Sequence, residues 1–231
     1  MRLTVRHAAE LLRTPEKQIY RWIDEGELPC YWVNEQARFN RTELLEWATA
    51  RRLPISTNLF CDPEEGDRAL PGLRAALEAG GVHYHVAGTD RESVLRAMIQ
   101  AMHLPDEVDR ETLIAVLLAR ESAGSTAVGD GIAIPHVRQP IAVHGGAAAI
   151  ALCFLEQPVD FGAADGRPVH TLFTMVTPTI HVHLQLLAKL ALALHDPELI
   201  AAITRRAPAS EILLHVSRAE AAVPSPTPAL P

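Results

Sequence analysis

Cysteine is scarce in this chain of 231 residues: Cys30, Cys61 and Cys153 stand far apart and form no C-x-x-C pair. An odd, scattered set excludes a disulfide framework and a cysteine zinc site, and predicts reduced thiols. Aromatic residues are sparse at 5%, so the core must come from Ala, Leu, Ile and Val. No apolar run approaches the roughly 20 residues of a membrane-spanning helix, and the best stretch, 147–155, suits a buried strand. Positive charge is also short, with 21 Lys and Arg against 28 Asp and Glu and a net charge of −7, which excludes general nucleic-acid coating. The N-terminus, charged from Arg2 through Arg13, lacks the shape of a secretory signal. These absences predict a cytoplasmic protein.

The charge is unevenly placed. Residues 1–52 carry nine basic and eight acidic side chains, whereas the remainder carries twelve and twenty. That asymmetry predicts two modules with different tasks. The first, 1–52, reads as a helix capped by Thr4 and running to about Leu12, then a second helix. Thr14 and Pro15 open that second helix, the hydroxyl capping it, and Gly26 ends it. A short hairpin (31–33 and 37–39) and a last helix (42–52) follow, with Trp22, Phe39 and Trp47 in the core. Residues 53–68, rich in Pro and acidic groups, read as a linker. The second module, 69–220, alternates helices (70–78, 92–102, 110–120 and one after His183) with strands (82–86, 147–154, 169–176). This pattern predicts an α/β fold with one mixed sheet. The tail 221–231, with four prolines in its last eight residues, reads as disordered.

The run Gly131-Ile132-Ala133-Ile134-Pro135-His136-Val137-Arg138 carries the chemistry. Neutral imidazole is plentiful near pH 7 and can act as a nucleophile, and arginine grips a phosphoryl group in a two-pronged way. A transiently phosphorylated histidine is the expectation. Arg138 is equally readable as a partner in a surface salt bridge. His83 and His85 alternate around Tyr84 and could mimic a metal pair, but no further ligands stand at useful spacing, so no metal and no cofactor is expected.

Two resemblances extend this reading. Leu3-Thr4-Val5, Ala8-Ala9, Leu11-Leu12, Ile19-Tyr20-Arg21-Trp22, Glu25-Gly26-Glu27-Leu28-Pro29 and Arg38-Phe39 resemble the excisionase and MerR-type winged helix-turn-helix families. The likeness implies a DNA-binding module whose second helix enters the major groove with Lys17, Gln18, Tyr20 and Arg21, while Arg38 and Arg41 anchor the backbone at the wing. The alternative is a protein-docking module, with those side chains an ordinary solvated face. A net charge of +1 predicts few phosphate contacts and a need for dimerisation.

In the second module, Arg120-Glu121-Ser122, Ser125-Thr126, Gly131 to Arg138, Asp160-Phe161-Gly162-Ala163 with Asp165-Gly166, and His183-Leu184-Gln185-Leu186-Leu187 resemble the enzyme IIA domain of the fructose/mannitol class of the phosphoenolpyruvate-dependent phosphotransferase system. The nitrogen-regulatory branch is included in that likeness. It implies an α/β sandwich in which His136 takes a phosphoryl group from the phosphocarrier HPr or a nitrogen-branch homologue. Arg120 would stabilise the charge, and His183 (with His181 as the register alternative) would stand beside the nucleophile. Thr126 could donate its hydroxyl to the phosphoryl group or cap a turn, and Val137 is the candidate contact for a carrier. The fused first module favours a regulatory protein; the alternative is a component passing phosphate to an enzyme IIB for sugar uptake.

Overall fold

The computed structural model describes residues 2–33, 35–56, 71–105, 108–137 and 148–222. Its first unit comprises β1 (Arg2–Leu3), α1 (Val5–Leu11), α2 (Glu16–Asp24), β2 (Tyr31–Val33), β3 (Gln36–Asn40) and α3 (Arg41–Ala50). Thr4 caps α1 by accepting the amide of His7 at 3.3 Å, and the His7 ring reaches back to Thr4. The expected Thr14 cap on α2 is not formed. Pro15 takes the cap position itself, and no side chain bonds the orphan amides there. Gly26, at φ +70°, supplies the left-handed turn that ends this helix region. Asn40 caps α3, its carbonyl oxygen accepting the amides of Thr42 (2.9 Å) and Glu43 (3.4 Å).

β3 lies between β1 and β2, antiparallel to both, and closes the wing. Leu3, Leu11, Ile19, Phe39 and Leu45 fill the centre. Trp22 and Trp47 meet edge to face with centroids 4.9 Å apart, and the Trp47 indole donates to the Glu27 carbonyl at 2.8 Å. The packing continues past the expected end of the unit at residue 52. Ile55 is buried, and the Ser56 amide donates to the Leu11 carbonyl at 2.8 Å. The rest of the expected linker lies outside the described residues.

The second unit holds α4 (Leu73–Gly80), β4 (Val82–Val86), α5 (Arg91–Ala101), α6 (Arg110–Ser122), β5 (Ala127–Gly129), β6 (Ile132–Ala133), β7 (Ala149–Val159), β8 (Val169–Val176), α7 (Ile180–Ala193), α8 (Pro197–Thr204) and α9 (Ala209–Ala222). Asp90, Asp109, Thr179 and Asp196 cap α5, α6, α7 and α8 through their side chains. The sheet runs β4-β7-β8-β6-β5. β4/β7 and β6/β8 are parallel, and β7/β8 and β5/β6 antiparallel. It is therefore the mixed sheet expected.

The two-residue period of β7 divides the core. Ile150, Leu152 and Phe154 face α4, α7, α8 and α9, whereas Ala151, Cys153 and Leu155 face α5 and α6. Both faces are covered, which explains why this strand reads as an unbroken apolar run. Burial pushes the Cys153 thiol up to about 12, so it is an inert packing group. At β4 the expected alternation of His83 and His85 breaks down. His85 adopts φ +57°, the register with β7 shifts there, and the His83 ring is held 3.0 Å from the Gly80 carbonyl. α9 runs to Ala222, two residues into the expected tail; the remainder lies outside the described residues.

Gly80 marks the closest approach of α4 to the sheet. A Cβ built there would stand 2.4 Å from the Ile150 carbonyl carbon and oxygen, both backbone atoms that cannot swing away. We expect Gly80→Ala to destabilise the fold by about 2 kcal/mol through overpacking. The urea midpoint checks this, and an unchanged midpoint would mean that α4 slides freely on β7.

Candidate functional site

The site is assembled where β6 ends. Beyond Ala133 the chain passes through Ile134 and Pro135, and His136 forms a single parallel bridge to Met175 of β8. The imidazole is buried, with Nδ1 2.7 Å from the Ile134 carbonyl oxygen. A carbonyl only accepts, so Nδ1 carries the hydrogen and Nε2 is the nitrogen whose lone pair is available in the neutral ring. Nε2 faces Oε1 of Glu46 at 3.0 Å, a residue of α3 in the first unit. The other oxygen of that carboxylate accepts from Nη2 of Arg120 at 2.8 Å. Arg120 sits in the last turn of α6 and is braced by Nη1 donating to the Gly124 carbonyl at 2.8 Å.

His183 enters from the first turn of α7, where Thr179 caps the helix. Its ring lies 5.1 Å from that of His136, centroid to centroid. Burial, with a smaller contribution from His136, drives the His183 imidazole down to about 3, so it is neutral at ordinary pH. Its Nε2 is buried and has no hydrogen-bond partner among the described residues, and the same holds for Nε of Arg120. His181, the register alternative, is half-buried two residues away.

Thr126 walls the same cleft but does not offer its hydroxyl to it. The hydroxyl donates to Glu121 at 2.6 Å and the Thr126 amide to the other Glu121 oxygen at 3.1 Å. Glu121 is buried, and a buried carboxylate demands donors, so the expected phosphoryl contact by Thr126 gives way to this one. Val137 is buried against Ala133 and the α5–α6 side rather than presented as a contact surface. Arg138 lies outside the described residues.

On the first unit, Lys17, Tyr20 and Arg21 are exposed along α2 and Gln18 is half-buried beside them. Arg21 pairs with Glu25 at 2.8 Å. Arg38 is turned toward Gln36 (2.5 Å) and the Ala37 carbonyl (3.2 Å). Arg41 is half-buried, its Nε lacking a partner among the described residues. The exposed face of α2 is therefore open but nearly neutral, since Glu16, Asp24 and Glu25 offset Lys17 and Arg21.

Sequence reasoning missed Glu46, and it gave Glu121 no role beyond its place in the Arg120-Glu121-Ser122 motif. Glu46 stands among Leu44, Leu45, Trp47 and Ala48, all buried, and a lone carboxylate in such a run was the available signal. Nothing local names its partner, 90 residues on. α3 also packs on α7 and β5. Beside it, Arg52 pairs with Asp130 at 2.6 Å and donates to the Val128 carbonyl at 3.0 Å.

A buried histidine fixed at Nδ1, a second, neutral histidine and an arginine thus stand together on a five-stranded mixed sheet. Residues 76–218 match the family described as phosphoenolpyruvate-dependent sugar phosphotransferase system, EIIA 2, and residues 2–52 match a helix-turn-helix domain. The chain belongs to the EIIA 2 family and carries the helix-turn-helix domain at its N-terminal end. It is 38% identical over 149 residues to a nitrogen regulatory protein of Pseudomonas aeruginosa, covering 62% of this chain and 93% of that one. Against the fructose-specific EIIABC component of Bacillus subtilis it is 30% identical over 122 residues, 51% of this chain and 19% of that protein. The crystal structure of nitrogen regulatory protein IIA-Ntr from Neisseria meningitidis superposes with a TM-score of 0.54 at 25% identity, covering 62% of this chain and 98% of that one. Among the described residues no helix is long and apolar enough to cross a membrane.

His183 has a consequence for pH. Above its ordinary value of 6.5 it is neutral whether folded or not. As pH falls from 6.5 toward 3, the unfolded chain takes up a proton that the folded chain refuses, so stability is lost, at up to about 1.4 kcal/mol per pH unit. We expect His183→Gln to flatten this acid limb in chemical denaturation run from pH 7 to pH 4. An unchanged slope would mean that other groups carry it. Removing the Thr126 hydroxyl with Thr126→Val leaves Glu121 short of a donor and should cost about 2 kcal/mol, read from the same titrations at pH 7.

Proposed function

We propose that this chain is a regulatory phosphotransferase-system protein of the nitrogen branch, working in the cytoplasm. In this reading His136 accepts a phosphoryl group from HPr or its nitrogen-branch homologue, and the phosphorylation state sets the behaviour of the helix-turn-helix domain. The observation that carries the reading is the His136 ring. Its Nδ1–H is committed to the Ile134 carbonyl, and its Nε2 faces Oε1 of Glu46, whose other oxygen is held by Arg120, with the His183 ring alongside. In-line attack by Nε2 needs that fixed direction, and Arg120 would spread the charge of the moving phosphoryl group. Arg138 is a second candidate for the same work. The likeness to nitrogen regulatory proteins over most of their length supports the branch.

For the helix-turn-helix domain we propose DNA binding through Lys17, Gln18, Tyr20 and Arg21 on α2, with Arg38 and Arg41 on the flanks. The near-neutral face argues for weak single-site affinity and for binding as a dimer. The likeness to a fructose-specific component favours a second reading, in which His136 passes phosphate to an enzyme IIB.

The test is intact mass after incubation with phosphoenolpyruvate, enzyme I and HPr, or their nitrogen-branch equivalents. One acid-labile phosphate should appear on the wild-type chain and none on His136→Ala. No phosphate from either set would end the relay reading. For DNA, Arg21→Ala should weaken retention of a selected fragment by about tenfold, corresponding to one lost contact; equal retention would point to a docking module instead.

A further inference from the structure

Glu46 belongs to the helix-turn-helix domain, yet its carboxylate stands between the two groups that a phosphoryl acceptor site needs. Oε1 is 3.0 Å from Nε2 of His136, Oε2 is 2.8 Å from Nη2 of Arg120, and the side chain is 8% exposed. Nδ1 already donates to Ile134, so the Nε2 lone pair is the one that would attack phosphorus. Two lone-pair-bearing atoms held at 3.0 Å share a proton between them. Whether that proton sits formally on nitrogen or on oxygen, the lone pair is engaged.

Space gives the same answer. The cleft left among Glu46, Arg120, Thr126 and His136 measures about 20 Å³, room for a water and not for a phosphoryl group. The carboxylate presents two oxygens where a phosphoryl group would present three. Nε of Arg120 and Nε2 of His183, on the two residues that flank His136 and Glu46, are buried and have no partner among the described residues. The contact is not a stray one. Arg52 anchors the same face through Asp130 and Val128, and the Arg52 carbonyl lies 3.1 Å from Nε2 of His195.

We propose that Glu46 is a built-in occupant of the phosphoryl site: the docked helix-turn-helix domain withholds His136 from phosphoryl donors, and phosphorylation requires its release and then prevents its return. The proposal rests on the reading of His136 as the phosphoryl acceptor. When α3 lifts away, Glu46 leaves as the carboxylate and the shared proton passes to solvent. The Nε2 lone pair then forms the new N–P bond. The P–N bond to the donor breaks with its electron pair remaining on the donor nitrogen, which takes up a proton. The product carries nearly two negative charges, so the Glu46 carboxylate is repelled from a site it had matched. The reading face of α2 is open in the docked state, so release changes how the two domains are disposed rather than uncovering that helix.

Time courses of intact mass on the full chain test this with two phosphoryl donors: the enzyme I and HPr chain, and phosphoramidate, a small molecule that needs no docking surface and loses ammonia on transfer. Wild type is compared with Glu46→Ala and with Arg52→Ala, using His136→Ala as the blank. Arg52 is the second variant because it loosens the contact without altering charge next to Nε2, and it carries the comparison if Glu46→Ala fails to fold.

Both variants should accept phosphate from phosphoramidate faster than wild type. Glu46→Ala should do so by about tenfold or more, the scale of one charge-assisted hydrogen bond. Hydrogen exchange of the α3 amides should rise when wild type is phosphorylated. Wild-type rates in both variants, or α3 protection unchanged by phosphate, would overturn the proposal while leaving the relay intact. A difference seen with phosphoramidate but no phosphate from either carrier set would end the relay reading and leave the occupant in place. No modification of Glu46→Ala at His136 by either donor would end both.

Discussion

The hydrogen bond from Nδ1 of His136 to the Ile134 carbonyl, 2.7 Å and only two residues along the chain, is the constraint on which the site depends. It chooses the tautomer, and by choosing the tautomer it chooses the nitrogen that faces outward. The bond is possible because β6 is locked in parallel register beside β8 and because His136 makes one further bridge to Met175. Pro135, with no amide hydrogen of its own, stiffens the turn between them. Arg120 on α6, His183 on α7 and Glu46 on α3 are arranged around a direction that this one bond sets.

The charges in the site are few and closely matched. Arg120 and Glu46 form a buried cation–anion pair, and His183 is held neutral by its surroundings. A buried pair of this kind contributes little to net stability but makes the loss of either partner expensive. The balance therefore specifies occupancy more than it stabilises the fold. Any anion that displaces Glu46 inherits an oriented guanidinium and two nitrogens that have no partner among the described residues. Glu121, the next residue along α6, has its own donors in the Thr126 hydroxyl and amide.

Much of this architecture was legible in the sequence because it rests on local signals. Asp90 and Asp109 announce α5 and α6, and the strands Val82–Val86 and Val169–Val176 announce themselves by their apolar content. His136, Arg120 and His183, which the structure brings together, could be singled out because each sits in a motif that can be recognised piece by piece. What stayed hidden depends on partners far along the chain. Thr126 looks like a hydroxyl free to serve a ligand until Glu121 folds beneath it. Glu46 looks like one acidic residue in an apolar helix until a histidine 90 positions later meets it. The short strand β5 and the helices α8 and α9 carried no expectation, and β4 lost its period at the bulge around His85. The Thr14 cap failed for a smaller reason, since a proline one residue on had already taken the position.

On the proposed reading, the docking of α3 on α7 and β5, with α2 left facing outward, ties two recognition events to one domain of the chain. Free-energy coupling of this kind runs in both directions. If the charge state of one imidazole governs where the helix-turn-helix domain sits, then whatever grips that domain from outside governs the imidazole in turn. A duplex that held the domain away from the sheet would act as an effector of phosphoryl acceptance. One that bound only the docked form would act as its inhibitor. The chain would then serve as a sensor of its own target as well as a messenger to it.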